Sequence, residues 1–392
     1  MKKNVVYLGD SVQVLKDFEE NSIDMVLTDP PYGISFMGRE WDTVLPPREA
    51  FLEMFRVLKP GSWAFIMSSP RQDVFYRMMK MLEDVGFDID FSSIYWTFGT
   101  GLPKSVDMGK LIDKKFGAER KVVGKSNNKI MLENLGEAGY KSEWDITLPS
   151  TEEAKHFDGW AGGFNVKPAV EVIIVAMKPI TEKTYVDHAL RSIKDDSVNP
   201  GAINIDAGRI PPNSDEKVDV ITKRKPTNEK QVFNQENSGF KPENYPFGSV
   251  TSKGRFPANL LVSDNVLGDT FSRYFSLDNW WEKKVKELPE EVQKVFPFLN
   301  VPKPSVSEKK IRSNERNFHP TVKPVQLGSC LISLGSREGQ LILDPFAGSG
   351  SFLVSAFLMN RDFIGIELEK EHYEIIQKRL EKYPIGTKQM RF

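Results

Sequence analysis

An open, doubly wound α/β fold with a mostly parallel sheet is the architecture this sequence predicts, and three observations carry the prediction. Short apolar runs alternate with segments of helical period through the first hundred residues, and the same alternation returns toward the carboxyl end. Repeated βα units of this kind build parallel sheets covered on both faces. Two turn motifs, Asp29-Pro30-Pro31-Tyr32 and Asp344-Pro345-Phe346-Ala347-Gly348-Ser349-Gly350, each follow an apolar run although they lie more than three hundred residues apart. The ligand crevice of an open parallel sheet lies outside the carboxyl ends of its strands, where strand order reverses. Two loops placed there can share one site.

The elements follow in order. Asn4 to Tyr7 reads as a strand, and Val12, Leu15 and Phe18 give a helical stripe behind Ser11, an expected N-cap. A strand from Met25 to Thr28 delivers Asp29. Arg48 to Leu58 sets Phe51, Leu52, Phe55 and Leu58 on one helical face and stops at Pro60-Gly61. Trp63 to Met67 is the next strand. A helix carrying Val74, Phe75, Met78 and Leu82 leads through Gly86 to a strand ending near Trp96, and Val170 to Ala176 is a further buried strand. In the tail come a helix over 325–334, a strand over 341–343, a helix from Ser351, a strand over 363–366 and a helix with His372, Ile375, Ile376 and Leu380.

Between these parts, 99–168 and 180–318 are rich in Pro, Gly, Asn and Ser and keep no sustained period. Loops that long inside a compact unit are functional or form a unit of their own. The expected organisation is therefore 1–179 as one half of the core with a loop insertion at 99–168, 180–318 as a separate small domain, and 319–392 as the other half. Basic clusters stand at Lys223-Arg224-Lys225, at Lys253 with Arg255, and from Lys309 to Arg316. Each is read either as solvated surface or as phosphate contact.

Composition narrows the function classes. With 40% apolar and 27% charged residues in 392, the chain can bury a core of globular size. The amino-terminal apolar run is too short for a signal peptide, and no stretch approaches the roughly 20 apolar residues of a membrane span, so a cytoplasmic location is expected. Cys330 stands alone and forms no internal disulfide, and His156, His188, His319 and His372 show no metal-ligand spacing, so no metal is expected. A net charge of -1 leaves any nucleic-acid contact to local patches.

The two motifs carry the chemistry. The glycine loop lets backbone approach a ligand and opens a helix whose amino end favours negative charge. Glu367 ends the next strand, where an acid can accept hydrogen bonds from the ribose hydroxyls of an adenosine ligand. Leu353 replaces the third glycine of the dinucleotide fingerprint, which disfavours a nicotinamide or flavin enzyme. A tight strand-to-helix turn with a surface acid is the bland alternative. In Asp29-Pro30-Pro31-Tyr32, successive prolines remove donors and leave carbonyls free, and Asp29 adds carboxylate acceptors. Such acceptors suit a planar amino group, and Tyr32 supplies a face for a base to stack on. A proline-stiffened turn capped by its aspartate is the alternative.

Taken together, the motifs resemble the DNA amino methyltransferases of the β arrangement, in which the catalytic motif precedes a target-recognition region and the cofactor motif comes last. The resemblance covers most of the chain and is similar in its middle stretches, Gly99 to Ser105, Gly159-Trp160 and Gly254 to Asn259, to phage-borne and prophage-like members. It implies a seven-stranded methyltransferase sheet, circularly permuted in motif order, and S-adenosylmethionine as cofactor. Asp10 would lie near its adenine. Thr321 and Lys323, in His319 to Pro324, would flank its methionine end. Asp344, Phe346, Gly348, Gly350 and Glu367 would complete that site, with Asp29, Pro30, Pro31 and Tyr32 as the catalytic set. Residues 180–318 would read duplex DNA.

The implied reaction is direct methyl transfer to an exocyclic amino group of a base swung out of the duplex. Adenine N6 is the expected target, because aspartate at the first motif position usually accompanies adenine in this family, with cytosine N4 as the alternative. Methylation at cytosine C5 would need a thiolate, and Cys330 sits in an apolar helical pattern that assigns it to packing. Other readings are a catalytically silent DNA-binding protein of the same fold, and methylation of RNA or protein glutamine. A cognate restriction enzyme is an expected partner, and the chain a monomer or homodimer.

Overall fold

The computed structural model describes residues 2–34, 42–98, 106–127, 143–163, 166, 168–211, 254–263, 267, 275–290, 293, 310–312, 315–316 and 322–381. Thr321, His319-Pro320, Gly99 to Ser105, Lys223 to Lys225 and Lys253 lie outside them. In chain order the strands and helices are β1 (Val5–Leu8), α1 (Ser11–Lys16), β2 (Ile23–Thr28), α2 (Arg48–Val57), β3 (Leu58–Ser68), α3 (Gln72–Val85) and β4 (Ile94–Thr97). The insertion supplies β5 (Val106–Asp107), α4 (Met108–Phe116), β6 (Val122–Asn127), β7 (Glu143–Thr147), α5 (Glu152–His156) and β8 (Ala161–Gly162). Then follow β9 (Val170–Met177), α6 (Tyr185–Ser192), β10 (Leu260–Val262), α7 (Leu277–Glu287), β11 (Lys310–Arg312) and β12 (Glu315–Arg316). Last come α8 (Val325–Gly335), β13 (Leu341–Asp344), α9 (Ser351–Leu358), β14 (Asp362–Glu367) and α10 (Lys370–Leu380).

Among the described residues one sheet of eight strands runs in the order β1-β14-β13-β2-β3-β9-β4-β10, and only β9 opposes its neighbours. The expected mostly parallel, doubly wound sheet is present, with an eighth strand added where Leu260–Val262 pairs beside β4. The antiparallel direction of β9 was not readable from its apolar run, because a strand buried on both faces looks the same in either direction. Strands β13 and β2 are adjacent, with Ile342 opposite Met25. The two ends of the chain thus complete one sheet, and strand order reverses where they meet.

Helices α1, α2 and α3 bury Leu15, Phe51, Met54, Met78 and Leu82 against one face of the sheet. The other face carries α7, α8 and α9, with Trp280, Trp281, Leu331 and Phe352 in its core. Every residue of α9, and all of α8 except Gly335, is buried. A helix apolar on all sides needs cover on all sides, and α7, from the middle of the chain, packs on α8.

Two local expectations change. Asp10, not Ser11, caps α1, accepting from Gln13 N at 3.1 Å, so Ser11 is the first helical residue. Pro60-Gly61 does not end α2, which stops at Val57, but lies inside β3 and bulges it, since Ile23 faces Leu58 whereas Met25 faces Trp63. Gly61 has φ +75°, and a Cβ there would lie 2.3 Å from the Asn199 carbonyl. The bulge lets that segment dock, and only glycine fits it.

Parts of 180–318 do not stand apart from the sheet. Asn199 Nδ2 donates to Asp24 O and Ser62 Oγ, Gln340 donates to Asn199, and Trp63 Nε1 donates to Ala202 O. With β10 in the sheet and α7 over α8, the segments 199–208, 260–262 and 277–287 belong to the core. Burial of α8 requires that cover, which a reading by turn composition could not anticipate. The insertion, read as lacking a sustained period, also holds short elements, knit by Asp113, which accepts from Arg120, Ser150 N and Thr151.

Candidate active site

Strand β13 ends at Asp344 and turns through the glycine loop into α9, while β2 ends at Thr28 and delivers Asp29. Because the two strands are neighbours, Thr28 Oγ1 donates to Asp344 Oδ1 at 2.6 Å. One cavity of about 280 Å³ opens over both ends, bordered by Asp10, Asp29, Pro31, Lys323, Asp344, Phe346, Gly348 and Glu367. That is near the lower end of small-molecule sites, roughly 300 Å³ and upward.

The glycine loop is fixed by its backbone. Ala347 N donates to Ile366 O at 2.9 Å and Gly350 N to Ala347 O at 2.7 Å. Gly348 and Gly350 sit at φ +54° and +77°, left-handed values that a side chain resists. Glu367 Oε2 accepts Gly348 N at 2.6 Å, and its Oε1 accepts Glu369 N at 2.9 Å. An ionised carboxylate has about four lone-pair sites, so Glu367 keeps acceptors for a ligand's hydroxyl groups. Arg379 reaches up from α10 to Ser349 O at 2.6 Å and to the Ser351 hydroxyl.

The Asp29 side of the cavity is held by side chains. Asp29 Oδ1 accepts the Tyr32 hydroxyl at 2.6 Å, and Asp29 Oδ2 accepts Lys323 Nζ at 2.6 Å. Asp42 Oδ1 accepts Tyr32 N and Gly33 N, which fixes the turn after the prolines. Glu171, second residue of β9, lies 3.2 Å from Lys323 Nζ. Lys323 also sits 5.9 Å from the Tyr32 ring centre.

Electrostatics follow from burial and these pairs. Burial disfavours the Lys323 charge, but Asp29 and Glu171 outweigh it and raise its pKa. Tyr32 is pushed well above the ordinary phenol value by burial and then by Asp29 and Glu171. Burial lifts Asp344 to about 7, against the opposing hydrogen bond from Thr28. Burial also lifts the Cys330 thiol to about 12, which leaves it no thiolate character at neutral pH.

The structure therefore gathers Asp10, Asp29, Pro31, Lys323, Asp344, Phe346, Gly348 and Glu367 around one cavity, with Tyr32 attached through Asp29. Pro30 is buried beside them, and Gly350 stands one turn behind, capping α9. Thr321 lies outside the described residues. Sequence reading missed Glu171, Asp42, Arg379 and His372, whose Nδ1 lies 3.6 Å from Glu367. A lone acid at the start of a strand carries no pattern. For His372 the signal was available, five residues past Glu367 on a helical face.

Five acids border the cavity, Asp10, Asp29, Asp344, Glu367 and Glu369, against Lys323 and His372. Together with the apolar Pro31, Leu45, Phe346 and Phe352, this set suits a ligand that combines positive charge, an apolar body and hydroxyl groups. Among the described residues no cluster of His, Cys, Asp and Glu is arranged to hold a metal ion, and no helix is long and apolar enough to cross a membrane.

Comparison with known proteins gives the family. A family profile described as DNA methylase, for the N6/N4 enzymes, matches residues 23–378. The chain is similar to the type II methyltransferase M.HindIII of Haemophilus influenzae, 44% identical over 71 residues, which is 18% of this chain and 23% of that one. It is similar to the type II methyltransferase M2.DpnII of Streptococcus pneumoniae, 51% identical over 63 residues, 16% of this chain and 24% of the relative. The DNA adenine methyltransferase YhdJ of Escherichia coli is 40% identical over 68 residues, 17% and 23% of the two chains. The chain thus spans about a quarter of the length of the curated relatives it matches. Among solved structures, M1.HpyAVI in complex with SAM aligns over 96% of this chain and 98% of its own, with TM-score 0.42 and 17% identity. The cytosine-N4-specific PvuII DNA methyltransferase aligns over 97% and 86%, with TM-score 0.42 and 14% identity. Since the profile runs through the Asp29 turn, the glycine loop and Glu367 alike, the chain belongs to the DNA methylase family.

Proposed function

We propose that this protein methylates an exocyclic amino group of a base in double-stranded DNA, with S-adenosylmethionine as donor and adenine N6 as the target. The single cavity joining Asp29 to the Gly348–Glu367 wall supports this reading most directly. The cation-favouring acids and the free acceptors of Glu367 fit the sulfonium, the ammonium and the ribose of that donor. Asp10, Lys323, Asp344, Phe346, Gly348, Gly350 and Glu367, with Thr321 by resemblance, would hold it. Bound there, it supplies an electrophilic methyl group.

The chain's own residues prepare the amine. Its lone pair is delocalised into the base ring and makes it a poor nucleophile. Hydrogen bonds from its two N–H groups to Asp29 and to the Pro30 carbonyl draw the nitrogen toward tetrahedral geometry. Pro31 has no N–H to compete for those acceptors. The Tyr32 face stacks on the base, which offsets part of the few kcal/mol that flipping costs. After transfer the nitrogen is strongly acidic, so Asp29 or water takes its proton. DNA reading falls to the rest of 180–318, and a cognate restriction enzyme is a partner to seek.

Tritiated donor mixed with unmethylated plasmid, followed by hydrolysis and chromatography of the bases, tests the proposal. Label on N6-methyladenine is expected. Label on N4-methylcytosine would move the target and keep the chemistry, whereas no transfer to any DNA would end the reading.

A further inference from the structure

In the structure each oxygen of the Asp29 carboxylate already has a donor, the Tyr32 hydroxyl on Oδ1 and Lys323 Nζ on Oδ2, both at 2.6 Å. A target amino group arriving there would share an oxygen with one of them, and a buried ammonium at that distance is the stronger competitor for the acceptor. Lys323 has a second carboxylate within reach. Glu171 Oε2 forms the longer of the two ion pairs of Nζ, at 3.2 Å, and that oxygen is buried with no other donor among the described residues. A buried carboxylate oxygen gains from a closer, better aligned donor. Its place within reach of the same Nζ that holds Asp29 gives it a use.

We infer that Glu171 is a positioning residue that takes over Lys323 when the target amino group occupies Asp29. The move is short, from the 2.6 Å partner to the one at 3.2 Å. It keeps the buried ammonium paired throughout, as a buried charge requires. Strand β9 fixes the acceptor, since Glu171 pairs with Trp96 of β4 inside the sheet. No proton changes hands in this exchange. The inference rests on the methyl-transfer reading of the same site, and it adds a residue outside both motifs.

The test has two arms. In protein labelled with 15N-lysine, without cofactor or DNA, the Lys323 ammonium resonance is assigned by its loss in Lys323→Arg. Glu171→Gln should shift that resonance, and Glu171→Asp should shift it less. An unmoved resonance would overturn the inference whether or not the protein methylates anything. The second arm measures kcat on plasmid DNA with tritiated donor at saturation for each variant. Glu171→Gln, which leaves Lys323 on Asp29, should lower kcat by about ten- to a hundredfold, while Glu171→Asp keeps most of it. Removing the competing cation in Glu171→Gln/Lys323→Gln should then recover about fivefold or more over Glu171→Gln alone, a coupling in the range known for residues in contact. Wild-type kcat in Glu171→Gln, or a double variant no faster than it, would overturn the inference. Wild-type protein that transfers no label to DNA would instead remove the function proposed above and leave the resonance arm standing.

Discussion

The two walls of the cavity are built by different means. On the wall formed by 344–367, the glycine loop hangs on backbone hydrogen bonds, two left-handed glycines and the carboxylate of Glu367 under Gly348 N. On the opposite wall Asp29 is held by Tyr32 and Lys323, with Asp42 bracing the turn, all through side chains. Backbone ladders fix a shape, whereas side-chain ion pairs can be exchanged. The first wall thus suits a ligand bound the same way in every turnover, and the second suits a group that must arrive, react and leave. Substitutions should separate the walls accordingly, chemistry failing on one and affinity on the other.

The largest effect belongs to Asp29→Ala. It removes the proposed acceptor of the target amine while Glu171 remains to pair Lys323, so methyl transfer should fall by about a thousandfold or more, in the upper range for a positioned acid–base group. Donor affinity by calorimetry should stay within about threefold, a small free-energy change on that scale. A parallel fall in affinity would erase the contrast between the walls.

Next in size is the pH response of Asp344, the residue at which the walls touch. Its carboxyl ordinarily titrates near 3.8 and is held at about 7 by burial, so the folded chain binds that proton more tightly than the unfolded one. The resulting stabilisation is complete below about 3.8 and is lost as pH rises through about 7, amounting to at most about 4 kcal/mol. Urea unfolding across pH 5 to 8 should show stability falling, and Asp344→Asn should flatten that fall. A variant with the wild-type slope would place the proton elsewhere.

Glu367→Ala sharpens the comparison from the affinity side. Gly348 N and Glu369 N both lose their acceptor, and the proposed ribose contacts go with it. Donor affinity should drop by about ten- to a hundredfold, as expected for charge-assisted hydrogen bonds of about 1.5–3 kcal/mol. The kcat at saturating donor should change far less. Equal losses in kcat would mean that Glu367 acts on the chemistry and not on binding alone.

The two walls were also unequally legible in the sequence. The strands before Asp29 and Asp344 were readable because buried parallel strands are continuous apolar runs, and the glycine loop because glycine takes left-handed φ values without the cost a side chain carries. What joins the walls was not. Lys323 was visible only by resemblance, and its ion pairs with Asp29 and Glu171 span 294 and 152 positions of sequence. Contacts set by tertiary placement leave no periodic trace. The same holds for Asn199 and Trp63, whose hydrogen bonds tie the segment 199–202 to the core, so that segment read as more independent than it is.

The smallest predicted effect tests whether the backbone-built wall is as rigid as its hydrogen bonds imply. Gly350 caps α9 at φ +77°, and a Cβ there would meet Ile376 Cγ2 at 2.9 Å. A left-handed residue with a side chain costs about 1–2 kcal/mol. The Ile376 contact adds to this, because the opposing methyl sits on the branch point of a fully buried β-branched side chain that has little freedom to turn. Gly350→Ala should therefore lower stability in urea by at least about that amount. If the loop is rigid, it keeps its shape and the strain appears wholly as lost stability, with donor affinity nearly unchanged. If the loop relaxes instead, stability recovers while Gly348 N moves off Glu367, and affinity falls. Only the first outcome is compatible with a wall whose shape is fixed by its own backbone before any ligand binds.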